Sequence, residues 1–175
     1  MDAKERRTAL CTILKETEQP VTGTELAKML GVSRQVIVGD IALLRAGGVH
    51  VYATPQGYVV PVTEDSNKIT ATLACRHTQE GLADELNIIV DNGGKVIDVV
   101  VEHPLYGEIR ANLMLKSRRE VAEFIDMMAE SGATPLLVVT GGVHLHTVEV
   151  PNRKALAKIE EQLKSSGILM SELGG

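Results

Sequence analysis

Leu10, Ile13 and Leu14 recur at helical spacing in an otherwise polar stretch, with Cys11 at the edge of the same stripe, and predict a helix over residues 4–17. Thr22 stands three residues before Glu25, the spacing of a capping box, so a second helix starts there and stops at Gly31. Ser33 is placed to cap a third helix that runs to about Ala46 and ends at Gly47-Gly48. The run VHVYATPQGYVV then alternates as two strands around a Pro-Gln-Gly turn. Helix, short helix, tight glycine turn, helix and hairpin describe a winged helix-turn-helix. Ala27 falls where two of its helices cross closely. Ile37, Ile41 and Leu44 form the buried stripe of the third helix.

PVTEDSNK, residues 61–68, has one apolar side chain after its proline and reads as the end of one unit and a linker over 63–68. Beyond it, strands and helices alternate. Strands are predicted over 69–77, 95–103, 106–115, 134–140 and 143–150, and helices over 78–93, 117–131 and 152–166. Ser117 with Glu120, and Asn152, supply caps. The order βαββαββα implies an α+β domain over 69–175, with helices on one face of a mixed sheet.

Composition sharpens this picture. Of 175 residues 44% are hydrophobic, but one Phe, three Tyr and no Trp leave the core to aliphatic side chains. Neither the apolar runs nor the N-terminus suits a membrane span or a signal peptide, so no membrane partner and a cytoplasmic location are expected. Cys11 and Cys75 belong to no CxxC pair and read as free thiols. Residues 1–62 carry seven Lys/Arg against six Asp/Glu, whereas 63–175 carry eleven against seventeen. Contact with a polyanion therefore belongs to the first unit.

There, the N-terminal end of the third helix is the part that meets the major groove, which selects Ser33, Arg34 and Gln35, with Val38 and Arg45 beside them. Arg suits guanine and Gln suits adenine through paired hydrogen bonds. Lys4, Arg6 and Arg7 are candidates for phosphate. A head with so little net charge binds double-stranded DNA weakly by itself, so a homodimer with two heads is expected. Docking onto a protein is the competing use of a winged helix.

Four of the five histidines fall in the second unit. His144 and His146 are two apart in a strand, so both side chains point the same way, with Cα atoms about 6.7 Å apart. That spacing lets two imidazoles meet one ion at about 2.1 Å each. His77 ends the first strand on the face of Leu73 and Cys75. In the following helix, Glu80 and Asp84 point away from the stripe of Leu82, Leu86, Ile89 and Val90. Glu85 falls at its margin, about 85° from the centre, where a carboxylate wants a base or a metal as partner.

LGVSRQVIVGDIALLRA in the first unit, and ACRHTQ, VVEHPLYGEI and GGVHLHTVEVP in the second, together resemble the nicotinate-responsive transcription repressors of the NiaR type. Those proteins join a winged helix-turn-helix to a three-histidine, or 3H, domain. The likeness runs nearly end to end. It implies a divalent transition metal (zinc, nickel, iron or cobalt) held by residues matching His77, Glu85, His144 and His146. It also implies nicotinic acid as co-repressor at operators of NAD salvage or nicotinate uptake genes. His103 matches the family's remaining histidine and is expected to line the ligand pocket with Tyr106, Arg110 being a further candidate for the ligand's carboxylate. Cys75 faces the same way as His77, although the family pattern does not use it. Gly39, mid-way along the recognition helix, departs from the longer polar residue expected there. Two other readings of the same residues are a metal-dependent hydrolase, with His103 as base, and a repressor that senses the metal alone.

Overall fold

The computed structural model describes residues 1–62 and 67–170, which divide into two compact units, Met1–Glu64 and Asp65–Gly175. Of the linker expected over 63–68, residues 63–66 lie outside the described residues, as do 171–175.

In the first unit, α1 (Ala3–Glu16) begins at a capping box that the apolar pattern did not reveal. Asp2 accepts from the Lys4 and Glu5 amides, and Glu5 reaches back to the Asp2 amide at 2.8 Å. The expected Thr22–Glu25 box opens α2 (Gly23–Leu30), and Gly31 ends it at φ +65°, a left-handed conformation that glycine adopts without penalty. Ser33 caps α3 (Arg34–Ala46) by accepting from the Val36 amide. Strands β1 (Tyr52–Thr54) and β2 (Gly57–Val59) form the wing, which is tied to the start of α2 by paired backbone bonds between Val21 and Tyr58. Leu10, Leu14, Leu26, Ala27, Ile37, Ile41 and Val51 make the core. Burial of each large aliphatic side chain stabilises by about 1.5–3 kcal/mol before chain entropy is charged against it.

The second unit runs β3 (Ile69–Arg76), a 3₁₀ turn (Gln79–Gly81), α4 (Leu82–Asp91), β4 (Lys95–His103), β5 (Gly107–Leu115), α5 (Arg118–Ser131), a second 3₁₀ turn (Leu136–Thr140), β6 (Val143–Val150) and α6 (Arg153–Ser165). Its four strands lie in the order β3-β6-β4-β5, every pairing antiparallel. Alternation along β6 is complete. His144, His146, Val148 and Val150 are buried, and the residues between them are only half-buried.

Two expectations are corrected. Residues 134–140 do not form a strand: between its two threonines TPLLVVT is unbroken apolar sequence, and such a run cannot be assigned by period alone. Its hydrogen bonds are local, Val138 to Pro135 and Gly142 to Leu137, and Val138 and Val139 remain exposed. With that strand gone, the sheet is wholly antiparallel instead of mixed. A smaller adjustment falls at residues 77–81, where His77 lies just past the end of β3 and a 3₁₀ turn precedes the helix.

Candidate functional site

Strands β3 and β6 are adjacent, and their register sets Cys75 opposite His144 and Leu73 opposite His146. Residues directly opposite one another in an antiparallel pair share a face. Helix α4 covers that face with Leu82, Glu85, Leu86, Ile89 and Val90 buried. Glu85, placed by its helical angle at the margin, is in fact 0% exposed and at the centre of the contact.

Around this carboxylate the four expected residues assemble. Glu85 Oε2 lies 2.5 Å from His77 Nε2, and Oε1 lies 2.8 Å from His144 Nε2. His146 Nε2 stands 3.3 Å from Oε2 but is not aligned for a hydrogen bond, which leaves a ring nitrogen on a 1% exposed residue without a partner. The other nitrogen of each ring is anchored. Nδ1 of His77, His144 and His146 donates to the backbone carbonyls of Thr78, Gly142 and Asp98 at 2.6, 2.8 and 2.7 Å.

Those anchors decide the chemistry. A carbonyl only accepts, so each Nδ1 carries the proton, and each neutral ring turns a lone pair on Nε2 toward a carboxylate. Acceptor facing acceptor is repulsive unless a cation lies between them. Protons on the Nε2 atoms supply one such cation and a metal ion supplies another. Burial by itself pushes the Glu85 carboxyl up, but His146, His144 and His77 together hold it well below the usual carboxylate range. Burial pulls the His77 and His146 imidazoles down, and the Glu85 carboxylate outweighs it, so both are raised. Burial, reinforced by the Glu85 charge, pushes the nearby Cys75 thiol far up. Cys75 Sγ, a Glu85 oxygen and a His144 nitrogen all lie within 4.8 Å of one another.

Several residues that build this cluster escaped the sequence reading. Gly142, at φ +103°, brings the turn before β6 onto His77, whose amide donates to the Gly142 carbonyl. A Cβ at Gly81 would sit 3.1 Å from the His77 ring, so a side chain there would press on it. Asp98 follows a break in register in β4, and such a bulge disrupts the ladder and re-aims the backbone there; its carbonyl is the one His146 uses. The GG pair before VHLH was the visible signal for the first of these. Nothing in the sequence marks the bulge.

The expected ligand-pocket residues are not gathered in one place. His103 and Tyr106 meet at the β4–β5 turn, their rings 5.0 Å apart, and His103 Nδ1 accepts from the Leu105 and Tyr106 amides. Arg110 pairs through β4 with Leu145, which places it on the sheet face opposite His144 and His146. Its guanidinium binds the buried Asp98 carboxylate at 2.5 Å. The structure thus places Arg110 in an ion pair with Asp98.

In the first unit, Arg34 and Gln35 are exposed at the start of α3 and Val38 is half-buried, while the Ser33 hydroxyl is occupied as a cap. Arg45 directs Nε to the Val51 carbonyl at 2.8 Å and secures the approach to the wing. Arg6 grips Asp40, a buried residue of the recognition helix, through two bonds of 2.6 and 3.2 Å, with Arg7 at 3.6 Å. Arg6 is therefore a strut of the fold and not a free phosphate contact. Lys4 remains exposed on α1.

A winged helix-turn-helix followed by a histidine-rich α+β unit defines a two-part regulator. Residues 6–59 match the HTH domain model and residues 70–172 match the 3H domain model. The chain is 43% identical over 169 residues to the probable transcription repressor NiaR of Thermotoga maritima, covering 97% of this chain and 95% of that protein. It is 41% identical over 169 residues to the transcription repressor NadR of Bacillus subtilis, covering 95% and 94% respectively. The chain belongs to this family of HTH–3H transcription repressors. None of its described helices is long and apolar enough to cross a membrane.

Proposed function

We propose that the chain is a DNA-binding repressor controlled by a small ligand, nicotinic acid or a related pyridine, bound beside a divalent transition metal ion held by His77, Glu85, His144 and His146. Residues 1–62 form the reading head, two of which act in a homodimer, and residues 69–175 form the regulatory domain. One observation carries the metal assignment. Three rings pinned through Nδ1 aim their lone pairs at one buried carboxylate, an arrangement that only a cation relieves.

Three imidazoles and a carboxylate suit zinc, nickel, iron or cobalt, and availability decides among them. When bound, the ion offers a Lewis-acidic position to a donor such as a pyridine nitrogen or a carboxylate. The protein supplies rigidity: each carbonyl anchor fixes a tautomer and a ring orientation. His103 and Tyr106, with aromatic faces at the β4–β5 turn, are suited to flank a flat ring. Arg34 and Gln35 are the side chains free to read bases.

The test is metal content of the full chain beside Glu85→Ala and His144→Ala, followed by calorimetry with nicotinate and an operator gel shift. Stoichiometric metal in wild type and its loss in both variants is the expected result; metal retained by both sinks the assignment. Because coupling between sites is reciprocal, operator DNA must tighten nicotinate binding by the same factor that nicotinate tightens DNA binding. Equal nicotinate affinity with and without operator would exclude co-repression. Loss of operator binding on chelation, with nicotinate irrelevant, would instead favour sensing of the metal alone.

A further inference from the structure

His77, Glu85, His144 and His146 are not the full set of donors that the regulatory unit brings together. Cys75, Glu85 and His144 each bring one donor atom within 4.8 Å of both others, whereas His77 and His146 join the group through Glu85. Cys75 is fully buried, and its place opposite His144 in the β3–β6 ladder turns its side chain toward the same face. Donors at about 2.0–2.3 Å from one ion stand roughly 4.3 Å apart when they lie on opposite sides of it. Little inward movement would complete the set. An independent sign points to the same spot: His146 Nε2, buried and without a hydrogen-bond partner, is aimed at the Glu85 oxygen that His77 also meets.

We propose that the Cys75 sulfur is a fifth protein donor to the ion, so that the centre is a mixed sulfur, nitrogen and oxygen site. Ligation forms a metal–sulfur bond, and the thiol proton leaves to solvent. No oxidant or reductant is involved. A thiolate is a soft donor, so the site favours zinc, cobalt, nickel or cadmium over manganese or magnesium. This inference rests on the metal reading above, and one titration separates the two.

Cobalt(II) is added to the reduced full-length protein and followed by absorption. Uptake gives weak visible ligand-field bands whatever the donors, whereas a thiolate donor adds an intense near-ultraviolet charge-transfer band. The expected result is both sets in wild type and in Cys11→Ser, a control in the other unit, with loss of the charge-transfer band alone in Cys75→Ser. Ligand-field bands in wild type without a charge-transfer band would overturn the sulfur donor and leave the His₃Glu site standing. Persistence of the band in Cys75→Ser would overturn it too. Absence of any cobalt uptake would overturn both readings. The wild-type spectrum decides even if Cys75→Ser folds poorly, and Cys75→Ala serves as a second variant.

Discussion

Gly142 and His77 meet through their backbones: the His77 amide donates to the Gly142 carbonyl, and a Cβ at position 142 would fall well inside contact distance of the His77 carbonyl oxygen. The same Gly142 carbonyl accepts from His144 Nδ1, so one carbonyl holds the backbone of His77 and the ring of His144.

Gly142→Ala should therefore damage stability and metal binding together. A side chain at φ +103° is strained by about 1–3 kcal/mol, and the close approach adds to this. A lowered thermal midpoint with reduced metal content is expected. Gly141→Ala, also at positive φ but with open space around it, is the control and should spare the metal. Equal metal content in both variants would show that Gly142 does not position the ligands.

Glu85→Gln keeps the size and removes the charge. Metal affinity should fall by more than the 10–100-fold typical of losing an outer-shell partner if Glu85 is itself a ligand. Competition with a chromophoric chelator measures it. A drop smaller than about tenfold would place Glu85 outside the coordination sphere.

Acidity should act in opposite directions on the metal-free and metal-bound protein. His77 and His146 are raised above the usual 6.5, so their contribution to metal-free stability is fully present below that value and lost as pH rises through the raised values. Glu85 is depressed, so its contribution is present above the usual 4.5 and lost as pH falls through its folded value. Metal-free protein should thus be most stable in the weakly acidic window between them. Added metal should stabilise more as pH rises, since ligation requires deprotonated imidazoles. Melting curves across that range, with and without metal, provide the check; stabilisation by metal that grows toward acid would contradict the assignment.

In the first unit, Lys4→Ala should reduce the salt dependence of operator binding, with a slope change of up to about one and little effect on folding. Arg6→Ala should do the reverse, lowering the unfolding midpoint because Asp40 is left buried without its main partner. Parallel melts and salt titrations distinguish the two. If Arg6→Ala changed only the salt slope, Arg6 would not be a strut of the fold.

Gly39 is exposed in the middle of α3, and a Cβ there meets nothing within 4 Å. Gly39→Ala should stabilise the reading head by about 1 kcal/mol. Chemical denaturation of the full chain would register this as a higher midpoint for the first transition. An unchanged or lower midpoint would mean that the position is constrained by something other than helix propensity.

Much of the architecture was legible because each signal was local. Thr22 with Glu25 and Ser33 before Arg34 mark helix starts wherever they occur, and the strict alternation of VHLHTVEV fixes which face its histidines share. The strand read into TPLLVVT failed for the converse reason: an unbroken apolar run has no period to decode. The depth of Glu85 was also hidden. Helical angle placed it at a margin, and only the neighbouring strands, which bring three basic rings beneath it, make full burial tolerable. Arg6 and Arg110 looked like free cations because their partners, Asp40 and Asp98, lie 34 and 12 residues away in the chain.

The Arg6–Asp40 grip has a consequence for operator choice. It sets the roll of the recognition helix about its own axis from a helix that itself need not touch a base. Relatives that differ at either end of this bolt should therefore differ in half-site preference even when Arg34 and Gln35 are identical.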